Sequence, residues 1–409
     1  MKGFSTLSGL ECSETGERFP AEELMNLSPA GAPLLARYNL QIAGRTLRPE
    51  YLGGRRADMW RYHEVLPAPS QAAVVSLGEG LTPLLKAERL GARVPLSGLF
   101  IKDEGKNPTG SFKARGMATA ITMARHLGAK KIAVPTAGNA GSAAATYASR
   151  AKMEAHIFIP EDAPSVHKVE CVMVGAKVTE VRGTIYDCGA IVAERGPREG
   201  WFDLSTFKEP YRVEGKKTMA YELFEQLGGQ LPDVIVYPTG GGTGLVAMWK
   251  AFGEMETMGW IGSDRPRMIA VQAEGCAPLV KAYDEGKEKA DLWENPNTRI
   301  SGLRAPKMLA DFLCLRAIRE SGGMAISVSD EAIFEAQREA GDAEGLFICP
   351  EGAACIAALW DLKDHGAIRL KDRVVVFNTA SGLKYSDLVS IDVPVMDPLP
   401  EQVGGKDAG

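Results

Sequence analysis

The stretch DVIVYPTGGGTGLVAMW, residues 233–249, contains a strand pattern, a glycine run and a helix pattern in direct succession. Val234–Pro238 is apolar throughout, which is typical of a parallel strand that is covered on both faces. The helix pattern begins at Leu245. The consecutive glycines between them allow several backbone N–H groups to face one point, beside the positive end of that helix. The stretch therefore predicts either a phosphate-binding nest or a tight turn.

The same succession of strand and helix patterns recurs along the chain from about residue 99. The predicted strands are Leu99–Asp103, Lys131–Pro135, Ala155–Pro160, Lys177–Val181, Val234–Pro238, Met268–Ala273 and Val374–Asn378. The predicted helices include Arg115–Arg125, Asn139–Lys152, Lys216–Leu227, Leu245–Phe252, Asp330–Ala340 and Gly352–Asp364. This alternation predicts an α/β protein with doubly wound, mostly parallel sheets. Residues 1–60 lack the pattern, and we predict an irregular arm with short elements there.

Composition excludes several classes of function. The 409 residues, of which 45% are hydrophobic, are enough for two or three domains. A net charge of −5 with scattered lysines and arginines disfavours nucleic-acid binding, and no apolar run is long enough to predict a membrane span. Seven thinly spread cysteines indicate a reducing cytoplasm. The five histidines are isolated, so we expect no metal site.

Three polar, glycine-containing stretches each follow a predicted strand. They are PTAGNAGSAAA at 135–145, YPTGGGTGLVA at 237–247 and FNTASGLKY at 377–385. In open α/β sheets, ligands bind beyond the carboxyl ends of the strands. We therefore expect the three stretches to converge on one cleft.

Lys113 is the first candidate for chemistry. It lies in EGKNPTGSFKARGM, residues 104–117, where Pro108 and Gly110 predict a turn and Ser111 can cap the helix that follows. A lysine near a helix N-terminus is electrostatically unusual, because the macrodipole favours anions there. Such a lysine has a lowered pKa or forms an imine; the alternative is a surface lysine on a loop.

Two further polar side chains follow predicted strands. Asn139 opens a helix, either as an N-cap or as an amide offered to a ligand, and Thr379 ends the last strand with a neutral hydroxyl. With Lys113 and the glycine run, these residues are the parts that hold pyridoxal phosphate. They supply an amine for its aldehyde, a nest for its phosphate and polar partners for its ring.

Five stretches together carry a resemblance to a known family. They are SLGEGLTPLL (76–85), KDEGKNPTGSFKARGM (102–117), PTAGNAGSAAATYA (135–148), PTGGGTG (238–244) and NTASGLKY (378–385). The chain resembles the threonine synthase branch of the fold type II, or β-family, pyridoxal phosphate enzymes. The resemblance implies a fold like that of the tryptophan synthase β-chain, with two doubly wound lobes and the cofactor in the cleft between them.

The resemblance implies a role for each residue that would hold the cofactor. Lys113 is then the catalytic Schiff-base lysine, and Phe112 packs beside the cofactor. Asn139 donates to the oxygen of the ring hydroxyl, and Thr379 meets the pyridine nitrogen. The phosphate is held through the backbone N–H groups of Gly240, Gly241, Gly242, Thr243 and Gly244.

The resemblance also implies that O-phospho-L-homoserine and water are converted to L-threonine and phosphate, with Lys113 moving the protons. The substrate-binding residues implied are Ser111, Thr136, Ala137, Gly138 and Arg212. Arg212 would bind the substrate phosphate, since a guanidinium is the best forked partner of a phosphate; a surface salt bridge is the alternative. Serine/threonine dehydratase-type deaminases and β-replacement enzymes such as cysteate synthase are similar in the same stretches and remain alternatives.

Two positions depart from the family's pattern. Ala114 replaces an aspartate after the lysine, and Glu209 lies three residues before Arg212. A carboxylate at position 209 would repel a phosphate unless it points elsewhere or pairs with Lys208.

The resemblance implies a domain division as well. Residues 1–104 and 216–409 would form a large cofactor-binding domain, residues 105–215 a smaller mobile domain, and the whole a homodimer. Residues 1–40 resemble the zinc-ribbon-like segment that precedes some threonine synthases. Only Cys12 of its four ligand positions is a cysteine, so we expect no metal there.

Overall fold

The computed structural model of this chain describes residues 3–398. The strands of this part are β1 (Leu7–Cys12), β2 (Arg18–Phe19), β3 (Leu34–Tyr38), β4 (Leu84–Lys86), β5 (Gly98–Asp103), β6 (Lys131–Pro135), β7 (Glu154–Pro160), β8 (Lys177–Val181), β9 (Trp201–Asp203), β10 (Val234–Pro238), β11 (Arg267–Ala273), β12 (Met324–Val328) and β13 (Arg373–Asn378). The α-helices are α1 (Leu40–Ala43), α2 (Glu88–Arg93), α3 (Lys113–His126), α4 (Asn139–Arg150), α5 (Ser165–Met173), α6 (Ile185–Glu199), α7 (Arg212–Gln226), α8 (Thr243–Thr257), α9 (Pro278–Asp284), α10 (Asp311–Glu320), α11 (Asp330–Glu344) and α12 (Pro350–Asp364). Short 3-10 turns lie at Pro49–Gly54, Met59–Val65, Gln71–Ala73, Glu104–Lys106, Pro108–Gly110 and Gly382–Leu388.

The strands after the N-terminal region form two sheets. The larger has the order β12-β11-β10-β13-β5-β4, and all its pairs are parallel except β4 with β5. The smaller has the order β8-β7-β6-β9 and is parallel throughout. The predicted α/β class with mostly parallel sheets is confirmed.

β10 shows why the apolar runs are continuous. Ile235 and Tyr237 pack into a core formed with α7, α8 and α10, whereas Val234 and Val236 pack into a second core formed with α11 and α12. Because helices cover both faces of the larger sheet, neither set of alternating side chains meets water.

The N-terminal region differs from the prediction of an irregular arm. β1 pairs in an antiparallel manner with both β2 and β3. Cys12 Sγ lies 3.2 Å from Ser28 Oγ and accepts the N–H of Thr15 at 3.4 Å, so polar contacts occupy the positions of the zinc-ribbon ligands. Strands as short as β2, which has two residues, carry no readable period. Between residues 3 and 398, no group of three His, Cys, Asp or Glu side chains is placed to hold a metal ion.

A buried charge network fixes the start of α3. The Arg115 guanidinium binds Glu104 at 2.6 Å and Glu222 at 2.5 Å, and Lys102 binds Glu222 at 2.8 Å, all with side chains fully buried. Two cations thereby balance two carboxylates, as buried ions require. The network joins β5, α3 and α7, and it therefore holds the helix turn on which Lys113 lies.

No helix of the described chain is long and apolar enough to cross a membrane.

Candidate functional site

The glycine run lies between β10 and α8. Gly242 has φ +76°, and an added Cβ at Gly240 would collide with the carbonyl oxygen of Gly302. Within residues 3–398, the N–H groups of Gly240, Gly241 and Gly242 donate no backbone hydrogen bond, and the first turn of α8 adds N–H groups that lack intrahelical partners. The run is therefore a concentration of free donors at the positive end of a helix, which is the chemistry of an anion cradle.

The lysine loop is joined to the segment after β13. Phe112 N–H donates to Thr379 O at 3.0 Å, and Ser381 N–H donates to Gly110 O at 2.9 Å. The Phe112 ring meets the ring of Tyr237, at the end of β10, edge-on with centroids 6.1 Å apart. The three strand-end stretches thus converge as expected. Ser111 does not cap α3 with its side chain: its Oγ is buried and has no partner in the described chain.

The Lys113 amine faces this cleft. Its Nζ lies 4.2 Å from the centroid of the Phe112 ring, and it forms no hydrogen bond or ion pair with any residue from 3 to 398. The pKa of Lys113 is lowered to about 8, chiefly by burial and then by the charge of Arg212, while Glu351 acts in the opposite direction. A partnerless amine with a lowered pKa is suited to act as a nucleophile and a proton carrier.

Asn139 begins α4, but Gly138 occupies the N-cap position, so the N-cap alternative for Asn139 is wrong. Its Nδ2 donates to the Tyr385 hydroxyl at 2.8 Å, and that hydroxyl donates to Glu351 Oε1 at 2.8 Å. Glu351 Oε1 also accepts the N–H of Gly302 at 3.1 Å. These hydrogen bonds connect Asn139 to Gly302, whose carbonyl oxygen packs against Gly240. Tyr385 lies in a stretch singled out from the sequence, but nothing in the sequence identified its hydroxyl.

Thr379 is 4% exposed, and its Oγ1 lies 3.6 Å from Cys349 Sγ. Burial raises the pKa of the Cys349 thiol, with the charge of Glu351 adding to the effect. Cys349 is therefore a protonated thiol at neutral pH, which makes a thiolate nucleophile at this position untenable.

The loop Thr136–Gly138 is closed on itself. Thr136 Oγ1 accepts the N–H groups of Gly138 at 2.9 Å and Gly141 at 3.0 Å, while Ala137 is half-buried. Gly138 has φ +146°, and a Cβ there would collide with the ring of His167. His167 is fully buried, and its Nε2 has no partner within the described residues. An isolated histidine in a helical stretch gave no sequence signal for this position.

Arg212 is the first residue of α7 and is 1% exposed. Its Nη1 donates to Leu204 O at 2.5 Å, and its Nε has no partner in the part of the chain described. Burial lowers the pKa of Arg212 to about 10. The surface-salt-bridge alternative is wrong, because this guanidinium is buried.

Glu209 does not occupy the space in front of that guanidinium. Its carboxylate accepts the backbone N–H groups of Tyr211 at 2.9 Å and Arg212 at 2.8 Å, and so it caps α7. Of the two alternatives for Glu209, pairing with Lys208 is not formed, since Lys208 binds Asp203 at 3.2 Å. Glu209, which departs from the family's pattern, is thus a helix cap. This explains why α7 begins at Arg212, four residues before the predicted start at Lys216.

Partnerless buried polar atoms gather in this cleft. In folded proteins nearly all such atoms are hydrogen-bonded, so a cluster of exceptions indicates a place for a ligand. The described atoms of this kind in and around the cleft are Thr109 Oγ1, Ser111 Oγ, Asn139 Oδ1, His167 Nε2, Arg212 Nε and Glu351 Oε2.

Comparisons with known proteins agree with this chemistry. Residues 75–380 match the family model described as pyridoxal-phosphate dependent enzyme. The chain is 33% identical to the threonine synthase of Methanocaldococcus jannaschii over 377 residues, covering 92% of this chain and 93% of that protein. It is 36% identical to the threonine synthase of Methanosarcina acetivorans, covering 94% of each.

Solved structures show the same fold. Maize serine racemase matches with a TM-score of 0.65 and 22% identity over 75% of this chain and 90% of that one. Threonine deaminase isoform 2 of Solanum lycopersicum matches with a TM-score of 0.63 and 22% identity over 75% and 85%. These neighbours have the fold type II architecture. The chain belongs to the pyridoxal-phosphate dependent enzyme family, in its threonine synthase branch.

Proposed function

We propose that this enzyme is a lyase that converts O-phospho-L-homoserine and water into L-threonine and phosphate. The observation that supports this substrate is the buried guanidinium of Arg212. It has an unpartnered Nε, its charge acts on Lys113, and its neighbour Glu209 is turned away into a helix cap. A fixed guanidinium beside the reacting amine, without an ion pair in the described chain, suits a substrate with a phosphate group.

The residues of the cleft fit pyridoxal phosphate. The free N–H groups of Gly240–Gly242, with Thr243 and Gly244 in the first turn of α8, match its phosphate, and the partnerless Lys113 Nζ matches its aldehyde. Asn139, which retains an unpartnered Oδ1, and Thr379 would hold the ring, with Phe112 beside it. When bound, the cofactor supplies an electron sink that stabilises negative charge on the substrate carbons.

Each of the other residues of the cleft would have its own role toward the substrate. Lys113 Nζ carries protons between substrate carbons, which its lowered pKa favours. The N–H of Ala137, which donates no hydrogen bond in the described chain, would bind the α-carboxylate, with Ser111 Oγ, which is buried and unpartnered, as a further donor. Arg212 orients the phosphate for departure. Their convergence excludes bulk water and strengthens each charge interaction.

We further propose that residues 105–215 form the smaller, mobile domain. Because α7 is one continuous helix from Arg212 to Gln226, its first four residues would stay with the large domain, and the C-terminal boundary of the mobile domain would lie before Arg212 and not at residue 215. By resemblance, the active form would be a homodimer. The seven cysteines, all free and buried in the described chain, are compatible with a reducing cytoplasm.

Product analysis tests the proposed reaction. Purified enzyme given O-phospho-L-homoserine should release phosphate and L-threonine in equal amounts, and Lys113→Ala should release neither. Formation of 2-oxobutyrate and ammonia from threonine as the main activity would establish the deaminase alternative instead. Sulfite-dependent phosphate release from phosphoserine would establish a cysteate synthase.

A further inference from the structure

Lys216 lies one turn along α7 from Arg212, and its side chain is fully buried. The hydrogen bond it makes within the described chain runs from Nζ to Arg212 O at 3.3 Å. The neighbouring Lys217 differs in this respect, because it is neutralised by Glu214 at 2.8 Å and Glu254 at 2.9 Å. Lys216 has no such carboxylate in the described ion pairs, so the protonated form of its buried amine is costly unless a ligand compensates it.

The Lys216 amine lies near the same aromatic ring as the reacting lysine. A Cβ added at Gly116 would lie 2.8 Å from Lys216 Nζ, so the missing side chain at position 116 makes room for this amine. Gly116 and Lys113 are three residues apart on α3 and therefore share a helix face. The Phe112 ring centroid lies 4.2 Å from Lys113 Nζ and 5.6 Å from Lys216 Nζ. The two amines thus share one aromatic ring, with Arg212 beside them.

We propose that Lys216 is a further substrate-binding residue, whose amine binds the phosphate group together with Arg212 and takes up a proton from solvent as the dianion enters. This inference rests on the proposed function for the choice of a phosphate ester. It assigns to this chain a second cationic ligand at a position that the sequence analysis had passed over.

The charges around Lys216 explain the proton uptake. Burial lowers the pKa of Lys216 well below its ordinary value, and the charges of Arg212 and Lys113 lower it further, while Glu209 opposes them. The protonated form of the amine is therefore disfavoured in the free site. A bound dianion would raise its pKa by direct attraction, so the amine gains a proton.

Titration calorimetry with inorganic phosphate tests this. The experiment uses the cofactor-loaded enzyme, in which the cofactor phosphate fills the glycine cradle and Lys113 is occupied. It is run at about pH 8.5, where phosphate is a dianion, in two buffers of different ionisation enthalpy. We expect about one proton taken up per phosphate bound.

Four variants sharpen the test. Lys216→Gln should bind phosphate at least about tenfold more weakly, with no proton uptake. Lys216→Arg, whose guanidinium is already charged before phosphate binds, should bind phosphate without proton uptake. The exposed Lys177→Gln, which changes the net charge equally, should behave as the unmodified enzyme does. Glu209→Gln should still take up the proton, which separates Lys216 from the Glu209 carboxyl, whose pKa burial raises to about 7.

Phosphate binding by the unmodified enzyme without proton uptake would overturn the inference, as would an unchanged affinity and proton count in Lys216→Gln. Absence of phosphate binding would overturn it as well. The result is independent of turnover. An enzyme that binds phosphate in this way but does not convert O-phospho-L-homoserine would contradict the proposed reaction. Lys216 would then remain a binding residue for the phosphate group of another ester.

Discussion

The Tyr385 hydroxyl donates a hydrogen bond to Glu351 Oε1 at 2.8 Å, and the same hydroxyl receives one from Asn139 at 2.8 Å. The phenol therefore fixes the orientation of the amide that would face the cofactor ring. Tyr385 is 2% exposed, so water cannot replace its hydroxyl without rearrangement.

Tyr385→Phe should shift the absorption maximum of the bound cofactor and lower kcat about tenfold, since Asn139 loses its anchor and the buried Glu351 loses a donor. The absorption spectrum and steady-state rates measure this. Tyr283→Phe is the matched control, because its hydroxyl binds Gly323 O at 3.1 Å away from the cleft. An unchanged spectrum in Tyr385→Phe would show that the phenol does not position Asn139.

Arg212→Gln should raise the KM for O-phospho-L-homoserine far more than it changes cofactor uptake, because the guanidinium is assigned to the substrate phosphate. We expect an increase of at least about 30-fold, as for loss of a charged hydrogen-bonding partner. Arg195→Gln, which removes an exposed charge from α6, serves as the control. Equal losses of substrate and cofactor affinity would mean that Arg212 has a structural role.

The rate of cofactor uptake by the apoenzyme should rise with pH and level off above about pH 8. The neutral amine attacks the aldehyde, and burial lowers the pKa of Lys113 from 10.5 to about 8. The neutral fraction therefore grows as the pH rises through 8, and at pH 7 it is about 300-fold larger than for an ordinary lysine. Stopped-flow absorbance measures the profile. A rate still climbing at about pH 10 would contradict the lowered pKa.

Arg115→Met should lower the free energy of unfolding by about 3–5 kcal/mol, because Glu104 and Glu222 would remain buried with only Lys102 to compensate them. Urea denaturation of the apoenzyme measures the loss. Arg198→Ala breaks the exposed pair with Glu194 and should cost less than about 0.5 kcal/mol. Similar losses in the two variants would show that the buried network does not hold α3.

The sequence predicted the strands of the two parallel sheets well where burial is two-sided. Each predicted strand ends at the observed residue and begins at most one residue late, as with Val374 against Arg373 in β13. Three edge strands were missed. Leu84–Lys86 and Trp201–Asp203 have three residues, too few to carry a period, and Met324–Val328 is only partly buried. The N-terminal antiparallel sheet was missed for a different reason, since β1 contains Ser8, Gly9 and Glu11 where a two-sided buried strand would have a continuous apolar run.

The site was only partly readable from the sequence. Lys113, the glycine run and Asn139 lie in short stretches with recognisable spacing, whereas His167, Tyr385 and Lys216 reach the cleft only through packing between distant elements. The carboxylate of Glu209 shows most clearly what could not be predicted from the sequence. Its charge suggested repulsion of a phosphate, but its two backbone hydrogen bonds turn it into a helix cap.

The attachment point of the cofactor tests the account most directly. Holoenzyme is reduced with borohydride, digested and analysed by mass spectrometry to locate the residue that carries the reduced pyridoxyl group. The account predicts that Lys113 alone carries it, in the peptide that contains Phe112. A pyridoxyl group on Lys216 or on any other lysine, or none on a protein that has taken up the cofactor, would contradict it.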